Sequence, residues 1–151
     1  MTGARSGIGF AVCEKLLEQG YKVIGISRSI DSGKLKHDNF TVLACDLRDF
    51  EPTKRKIKPL LNARQAVSGI VFCAGAGYFG NLEQLDFEKI QALIELNLLS
   101  PMFLSKLLIP YFKAQASGRL VFLGSEASLQ GTQKGTAYCA SKFGLRGFVQ
   151  E

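Results

Sequence analysis

The sequence predicts an α/β fold built on a doubly wound parallel sheet, and three observations support this prediction. Short runs of β-branched and other apolar residues alternate with helical patterns along the chain, which is the order of βαβ units. A glycine-rich segment at residues 2–9 opens directly into the first helical pattern, as the tight turns of such sheets do. The chain has 151 residues, 46% hydrophobic and 21% charged, a composition that fits one globular domain.

Helical and strand patterns follow one another closely in the first half of the chain. Gly20 should end the first helix, Asp49 can cap the second, and Pro59 should bend or shorten it. In order, the predicted elements are a helix over residues 7–19, strands over residues 21–27 and 40–45, and a helix from near Pro52.

The second half continues the alternation, with a longer helix. Phe87, Ile90, Leu93, Ile94 and Asn97 are in helical phase. The predicted elements are a strand over residues 68–73, a helix from Asp86 to about residue 111 that continues past Pro101, a strand over residues 119–124, and a helix opening at Tyr138.

The two ends of the chain look incomplete for such a sheet. The glycine-rich segment needs a strand before it, yet only Met1 precedes it. Two residues reach about 7 Å, whereas a strand usually takes about 5–6 residues. The last predicted helix has only one or two turns before Glu151. We therefore expect residues 1–151 to form a single partial domain, with the first strand and the C-terminal strands missing.

Membrane, secretory and metal-binding roles find no support in the sequence. No uninterrupted apolar stretch reaches the roughly 18 residues of a membrane span, and the N-terminus has no apolar signal-peptide region. His37 is the one histidine and has no partners for a metal site. Reduced thiols in a cytoplasmic protein are predicted from the wide spacing of Cys13, Cys45, Cys73 and Cys139.

The net charge of +6 raises the question of a nucleic-acid partner. The basic residues concentrate at Lys34, Lys36 and residues 54–58, without the interleaved aromatic residues that nucleic-acid binding favours. We therefore expect a solvated helix face and no nucleic-acid or membrane partner, although part of the charge could serve an anionic cofactor.

The glycine-rich segment, Thr-Gly-Ala-Arg-Ser-Gly-Ile-Gly, has the features of a pyrophosphate-binding turn. Gly3 permits a tight turn, Gly7 lets the backbone approach the phosphates, and Gly9 allows close packing of the helix. The helix N-terminus adds free N–H groups and a positive dipole. A generic glycine-rich turn is the alternative. The predicted cofactor-binding residues of this segment are Gly3, Arg5, Ser6, Gly7, Ile8 and Gly9.

The residues after the strand at 21–27 bear on the choice of cofactor. An acidic residue at this place would hold the ribose 2′-hydroxyl of NAD, whereas an arginine accommodates a 2′-phosphate. The strand ends in Ile26-Ser27-Arg28, without an acid. Arg28, with some help from Arg5, therefore favours NADP(H) over NAD(H). A solvated arginine without a ligand is the alternative.

Tyr138 and Lys142 stand four residues apart on a predicted helix, and Ser125 lies thirteen residues before the tyrosine. Residues at this spacing share a helix face, with Cβ atoms roughly 5–6 Å apart. A lysine ammonium nearby stabilises a phenolate and lowers the tyrosine pKa from its reference of about 10. The pair is therefore a candidate general acid/base.

Further motifs lie between the glycine-rich segment and this pair. Asp46-Leu47 and Cys73-Ala74-Gly75 each follow a predicted strand, Asn97 lies in the long helix, and Ser125 follows the last predicted strand. In this order the motifs resemble those of the short-chain dehydrogenase/reductase family over essentially the whole chain. The resemblance implies a Rossmann-type fold and an NAD(P)(H)-dependent oxidoreductase that interconverts a carbonyl and an alcohol.

The resemblance also implies a role for each matching residue. Tyr138 would exchange a proton with the substrate oxygen, Ser125 would position that oxygen, and Lys142 would bind the nicotinamide ribose and lower the tyrosine pKa. Asn97 would join a proton relay through water, since Pro101 leaves its carbonyl without a helical donor. Asp46 and Leu47 would contact the adenine. Cofactor contacts are also implied for Cys73, Ala74, Gly75, Tyr138 and Lys142.

Two departures from the family pattern keep other functions open. Cys73 replaces a usual asparagine, which could loosen its loop. The family's homodimers or homotetramers form through the long helix and the Tyr138 helix, and the short last helix should impair this assembly. Besides a carbonyl or alcohol oxidoreductase, the chain could be a non-catalytic fragment that binds nucleotide weakly, or a basic interaction module. We expect these 151 residues alone to have little or no turnover.

Overall fold

Helices and strands alternate along the chain in the order that the sequence predicts. A computed structural model describes residues 1–29, 35–62 and 66–150. In these residues the helices are α1 (Gly7–Glu18), α2 (Phe50–Leu61), α3 (Phe87–Ile94), α4 (Ser100–Ala114) and α5 (Thr136–Val149), and the strands are β1 (Val23–Ser27), β2 (Phe40–Ala44), β3 (Gly69–Phe72) and β4 (Arg119–Phe122). A π-helical segment, Glu95–Leu99, joins α3 to α4, and short 3₁₀ turns cover Leu82–Gln84 and Glu126–Ser128.

Two residues occupy the centre of the sheet, where the sequence predicted that a strand is missing. β1 pairs in parallel with β2, and β3 pairs in parallel with β4. Thr2 forms parallel bridges to both Ile26 of β1 and Phe72 of β3. Its N–H donates to the Val71 carbonyl at 3.0 Å, and the Met1 carbonyl accepts from the Ile26 N–H at 2.8 Å. The sheet order is therefore β2, β1, Thr2, β3, β4, with a central strand of minimal length.

Helices cover both faces of this sheet, which confirms the doubly wound prediction. Successive side chains of a strand point to opposite faces. In β1, Ile26 packs in the cluster formed with α2 and α4, whereas Val23 packs in the cluster formed with α1. In β3, Phe72 packs in the cluster with α2 and α4, and Val71 packs against the cluster with α1. The core therefore consists of two apolar layers on either side of the sheet.

The helix from Phe87 to Ala114 is continuous through its π-helical segment and has a long apolar stretch. By length and composition alone it could cross a membrane, with a mean hydropathy of 1.6 over its most apolar window. The sequence analysis considered only uninterrupted apolar stretches and therefore did not single out this helix. Leu93, Leu104 and Leu108 are buried within the fold. In all, 39% of that apolar window is buried inside the fold.

The basic residues of α2 face solvent, as predicted. Arg55, Lys56 and Lys58 are exposed, whereas Thr53 and Ile57 of the same helix are buried. The helix keeps its form through Pro59 as far as Leu61. Lys34 and Glu151 lie outside the described residues.

Candidate active site

The glycine-rich turn has the backbone geometry that the sequence predicts. Gly3 has a φ of +69° and Gly7 a φ of +58°, conformations that side chains with a Cβ rarely adopt. A Cβ at Gly9 would lie 2.3 Å from the Gly3 carbonyl oxygen. The turn can therefore fold back on α1 only because these positions are glycines.

The N-terminus of α1 is free to receive an anion. Ser6 is its N-cap residue, and among the described residues its side chain makes no capping bond to the helix. The first N–H groups of a helix lack partners within the helix and carry its positive dipole. Gly7, Ile8 and Gly9 supply these groups here. A phosphate would therefore be stabilised at this end.

A cleft of about 260 Å³ adjoins this turn at the carboxyl ends of the strands. Ligands of doubly wound sheets bind at this edge. The lining includes nine of the predicted cofactor residues, namely Gly3, Arg5, Ser6, Arg28, Asp46, Leu47, Cys73, Ala74 and Gly75. Gly7, Ile8 and Gly9 directly follow Ser6 in the sequence. Tyr138 and Lys142 are not part of this lining.

Arginine side chains dominate the charge of the cleft. The Arg5 guanidinium donates a 2.8 Å hydrogen bond to the Ser29 hydroxyl, and Arg28 is exposed at the same edge. Arg48, to which the sequence assigned no role, binds both carboxylate oxygens of Asp46 at 2.6–3.2 Å. The Arg48 hydrogen bond lowers the pKa of Asp46, and Arg28 adds to the effect. The Asp-x-Arg spacing was the signal that could have revealed this pair.

Thr2 fastens the loop that follows β3, a role that the sequence did not reveal. Its hydroxyl oxygen accepts hydrogen bonds from the N–H groups of Cys73 and Ala74, each at 3.1 Å. The Thr2 side chain is buried, with 1% exposure. The loop backbone is therefore anchored through these amides even though Cys73 replaces the expected asparagine. Burial raises the pKa of the Cys73 thiol, partly offset by nearby positive charge, including Lys142.

The π-helical segment places Asn97 against the same loop. Pro101, four residues after Asn97, has no N–H for the helical ladder, and the Ser100 N–H bonds to the Glu95 carbonyl five residues back. Such π-bulges recur at functional sites. The Asn97 amide accepts from the Ala76 N–H at 2.9 Å and donates to the Ala76 carbonyl at 2.8 Å. The Asn97 side chain therefore binds the main chain of Ala76 on both its N–H and its carbonyl side.

Lys142 is held beneath Tyr138 on α5. Its ammonium nitrogen lies 6.0 Å from the Tyr138 ring centre and donates a 3.0 Å hydrogen bond to the Leu123 carbonyl. The residue is 7% exposed, and this burial lowers the pKa of Lys142. Tyr138 is half-buried. The spacing predicted for the pair is therefore realised on a single helix face.

Ser125 lies two residues beyond Leu123, at the end of β4. Its Oγ accepts the Ala127 N–H at 3.2 Å and so caps the 3₁₀ turn Glu126–Ser128. α5 packs against this turn and against the π-helical segment. The fold thus gathers all four predicted catalytic residues, Asn97, Ser125, Tyr138 and Lys142, around the first half of α5.

Phe79 is an aromatic neighbour of Tyr138 that the sequence did not single out. The two ring centres are 5.5 Å apart with an interplanar angle of 52°. The Phe79 ring remains 64% exposed. The Gly80 N–H donates to the Lys134 carbonyl at 2.8 Å, which ties this segment to the loop before α5. An apolar ring therefore lies beside Tyr138, the candidate acid/base.

The part of the chain that the structure describes contains no candidate metal-binding site. No group of three or more His, Cys, Asp or Glu side chains is close enough there to hold an ion.

Comparison with known proteins places this geometry among short chain dehydrogenases. The family model described as short chain dehydrogenase matches residues 1–151. The short chain dehydrogenase ausX of Penicillium brasilianum is 33% identical over 150 residues, which cover 97% of this chain and 58% of that protein. The chain therefore spans little more than half the length of this relative.

Solved structures share the fold over nearly the whole chain. An alcohol dehydrogenase from the archaeon Thermococcus sibiricus, complexed with 5-hydroxy-NADP, superposes with a TM-score of 0.89 at 28% identity. The match covers 99% of this chain and 67% of that one. A 4-hydroxyisoleucine dehydrogenase complexed with NADH gives a TM-score of 0.85 at 25% identity, covering 98% of this chain and 64% of that one.

Proposed function

This chain belongs to the short chain dehydrogenase family, and on that premise we propose that the protein is an NADP(H)-dependent oxidoreductase. The reaction interconverts a carbonyl and an alcohol on a small-molecule substrate. The observation that carries this proposal is the position of Lys142, buried and 6.0 Å from the Tyr138 ring. A tyrosine beside a fixed ammonium group is suited to exchange protons near neutral pH.

Each catalytic side chain has a task that its contacts support. The Tyr138 hydroxyl gives its proton to the carbonyl oxygen in reduction and takes one from the alcohol in oxidation. Because Ser125 Oγ accepts the Ala127 N–H, its own hydrogen is free to bond the same oxygen. The bound nicotinamide would supply or accept the hydride. Asn97, whose amide is bonded to Ala76, would act through its main-chain carbonyl.

A dinucleotide fits the residues that line the cleft. The close approach of Gly3 and Gly9 leaves no room for side chains, and the free amides of α1 suit a pyrophosphate. Arg28 and Arg5 favour NADP(H), because an acid for the ribose 2′-hydroxyl is absent from Ile26-Ser27-Arg28. Among the described residues that line the cleft, the one carboxylate is that of Asp46, and it is bonded to Arg48. The known structures include complexes with both types of cofactor, so the preference needs its own test.

Titration of the chain with NADPH and NADH, followed by cofactor fluorescence, tests the cofactor proposal. We expect tighter binding of NADPH, and Arg28→Ala should weaken NADPH binding roughly tenfold while leaving NADH unchanged, as loss of one charge-assisted contact does. Arg55→Ala, on the exposed face of α2, is the matched control. Equal effects of Arg28→Ala on both cofactors would exclude a 2′-phosphate contact.

Turnover assays on aldehydes and ketones test the reaction. We expect Tyr138→Phe to remove any carbonyl reduction while cofactor binding persists. Because residues 1–151 alone are expected to have little or no turnover, robust carbonyl reduction by this chain would overturn that expectation, whereas a thermal melt without a cooperative transition would favour the non-catalytic alternative. Nucleic-acid binding that persists at high salt and displaces NADPH would instead favour the interaction module.

Assembly of the protein would use the exposed faces of its C-terminal helices. Apolar side chains face solvent at Leu99, Met102 and Ile109 along the long helix and at Phe143 and Val149 on α5. Apolar patches of this kind mark protein interfaces. We propose a homodimer or homotetramer through these faces, which light scattering of wild type and Met102→Glu would test. A cytoplasmic location stays a prediction from the cysteine pattern.

A further inference from the structure

Ser141 lies between Tyr138 and Lys142 on α5, and the proposed chemistry gives it no task. It is fully buried, with 0% exposure. Its hydroxyl donates a 2.7 Å hydrogen bond to the Tyr138 carbonyl and accepts a 3.1 Å hydrogen bond from the Asn97 amide nitrogen. Ser141 therefore links the helix turn that carries Tyr138 to the π-helical segment.

Asn97 extends this link to the wall of the cofactor cleft. Its two amide atoms bond the N–H and the carbonyl of Ala76, and Ala76 lines the cleft next to Gly75. A Cβ at Gly75 would lie 3.3 Å from the Asn97 Oδ1 atom. A continuous path of hydrogen bonds thus runs from Tyr138 through Ser141 and Asn97 to the cleft.

Burial makes this path sensitive to the loss of any member. Asn97 is 1% exposed, so water cannot readily replace a lost partner. A buried polar group without a partner is costly, and members of a network strengthen one another. The packing around the path is also close, since a Cβ at Gly144 would lie 2.8 Å from the Leu98 side chain.

We propose that Ser141 is a positioning residue that holds Asn97 and thereby fixes the Cys73–Ala76 loop relative to the helix of Tyr138 and Lys142. The Cys73–Ala76 loop, which lines the cofactor cleft, then keeps a fixed position relative to Tyr138. The effect on the loop follows from the hydrogen bonds alone, and the consequence for cofactor binding rests on the proposed function.

Amide hydrogen exchange at Ala76 tests the positioning role, because this N–H bonds directly to Asn97. Ser141→Ala should speed exchange at Ala76 about tenfold, the change expected from losing one bond of a buried network. NADPH should bind severalfold more weakly. The matched control is Ser105→Ala, because Ser105 is equally buried and its Oγ has no partner among the described residues. It should leave both readouts within about twofold of wild type.

Ser141→Cys keeps a single γ atom, although sulfur is larger than oxygen, and retains a weak hydrogen-bonding group, so it should lie between wild type and Ser141→Ala. Exchange at Ala76 that is the same in Ser141→Ala and Ser105→Ala would overturn the proposal. Loss of the fold in both Ser141 variants would also overturn it, since Ser141 would then serve stability. Absence of NADPH binding by wild type would contradict the proposed function while leaving the exchange result valid.

Discussion

The ammonium nitrogen of Lys142 lies 6.0 Å from the centre of the Tyr138 ring and is bonded to the carbonyl of Leu123, the residue directly after β4. α5 fixes the two side chains relative to each other, and the Leu123 carbonyl fixes the lysine relative to the sheet. Because the lysine is buried, its charged form is destabilised. The arrangement therefore places a cation near the phenol at a cost to folding.

This cost predicts a pH dependence of stability. The pKa of Lys142 is lowered in the folded state from 10.5, so between the lowered value and 10.5 the unfolded state binds more protons. Stability from this group therefore rises with pH across that window. Urea unfolding should show this rise in wild type relative to Lys142→Met, in which it is absent. Both proteins should carry Cys73→Ala, because the Lys142 charge also acts on the Cys73 thiol; the difference then cancels the other buried cysteines. Parallel curves for the two proteins would contradict the prediction.

The contact of Gly9 with the Gly3 carbonyl predicts that the turn tolerates no side chain. Gly9→Ala would place a Cβ 2.3 Å from that oxygen and should lower the free energy of unfolding by about 1–3 kcal/mol or more. At Gly147 of α5 a Cβ meets no described atom within 4 Å. Gly147→Ala should therefore stabilise by roughly 0.5–1 kcal/mol through helix propensity. Thermal melts compare the two, and equal effects would refute the packing role of Gly9.

The two hydrogen bonds accepted by Thr2 predict a specific cost for losing its hydroxyl. Thr2→Val keeps the branched shape but leaves the amides of Cys73 and Ala74 without this acceptor, so stability should fall by about 1–3 kcal/mol. Thr41→Val, at an exposed position of β2, should change stability by no more than about 0.5 kcal/mol. Denaturant unfolding measures both. Matching values would mean that the Thr2 hydroxyl does not anchor the loop.

The ring contact between Phe79 and Tyr138 predicts a preference for carbonyl substrates with an apolar substituent. Phe79→Ala should weaken the binding of an aromatic ketone such as acetophenone to the NADPH-loaded chain by roughly tenfold, in keeping with the loss of an aromatic contact. Phe87→Ala, which removes a more exposed ring, is the control. Saturation-transfer NMR gives the affinities. Similar losses in both variants would exclude a specific role for Phe79.

Local patterns were enough to predict the order of the elements, and the candidate site residues that they indicated stay a prediction. Helical spacing placed Tyr138 and Lys142 on one face, and the glycine spacing predicted the turn at Gly3. The π-helical segment was signalled only indirectly, by Pro101 four residues after Asn97. The prediction of an incomplete sheet without its first strand is confirmed, whereas the bridges of Thr2 to Ile26 and Phe72 became visible only in the structure, because two residues are too few for a sequence pattern.

The sequence by itself determined the α/β class, the glycine turn before α1 and the placement of Tyr138 and Lys142 on one helix face, because these depend on backbone conformation and on neighbours within one helical turn. The tertiary structure alone decided that Thr2 anchors the Cys73 loop and that Ser141 bonds Asn97, across separations of 71 and 44 residues. Such partners meet only when sheet and helices pack. No local propensity encodes them, since each hydroxyl could equally bond water in an unfolded chain.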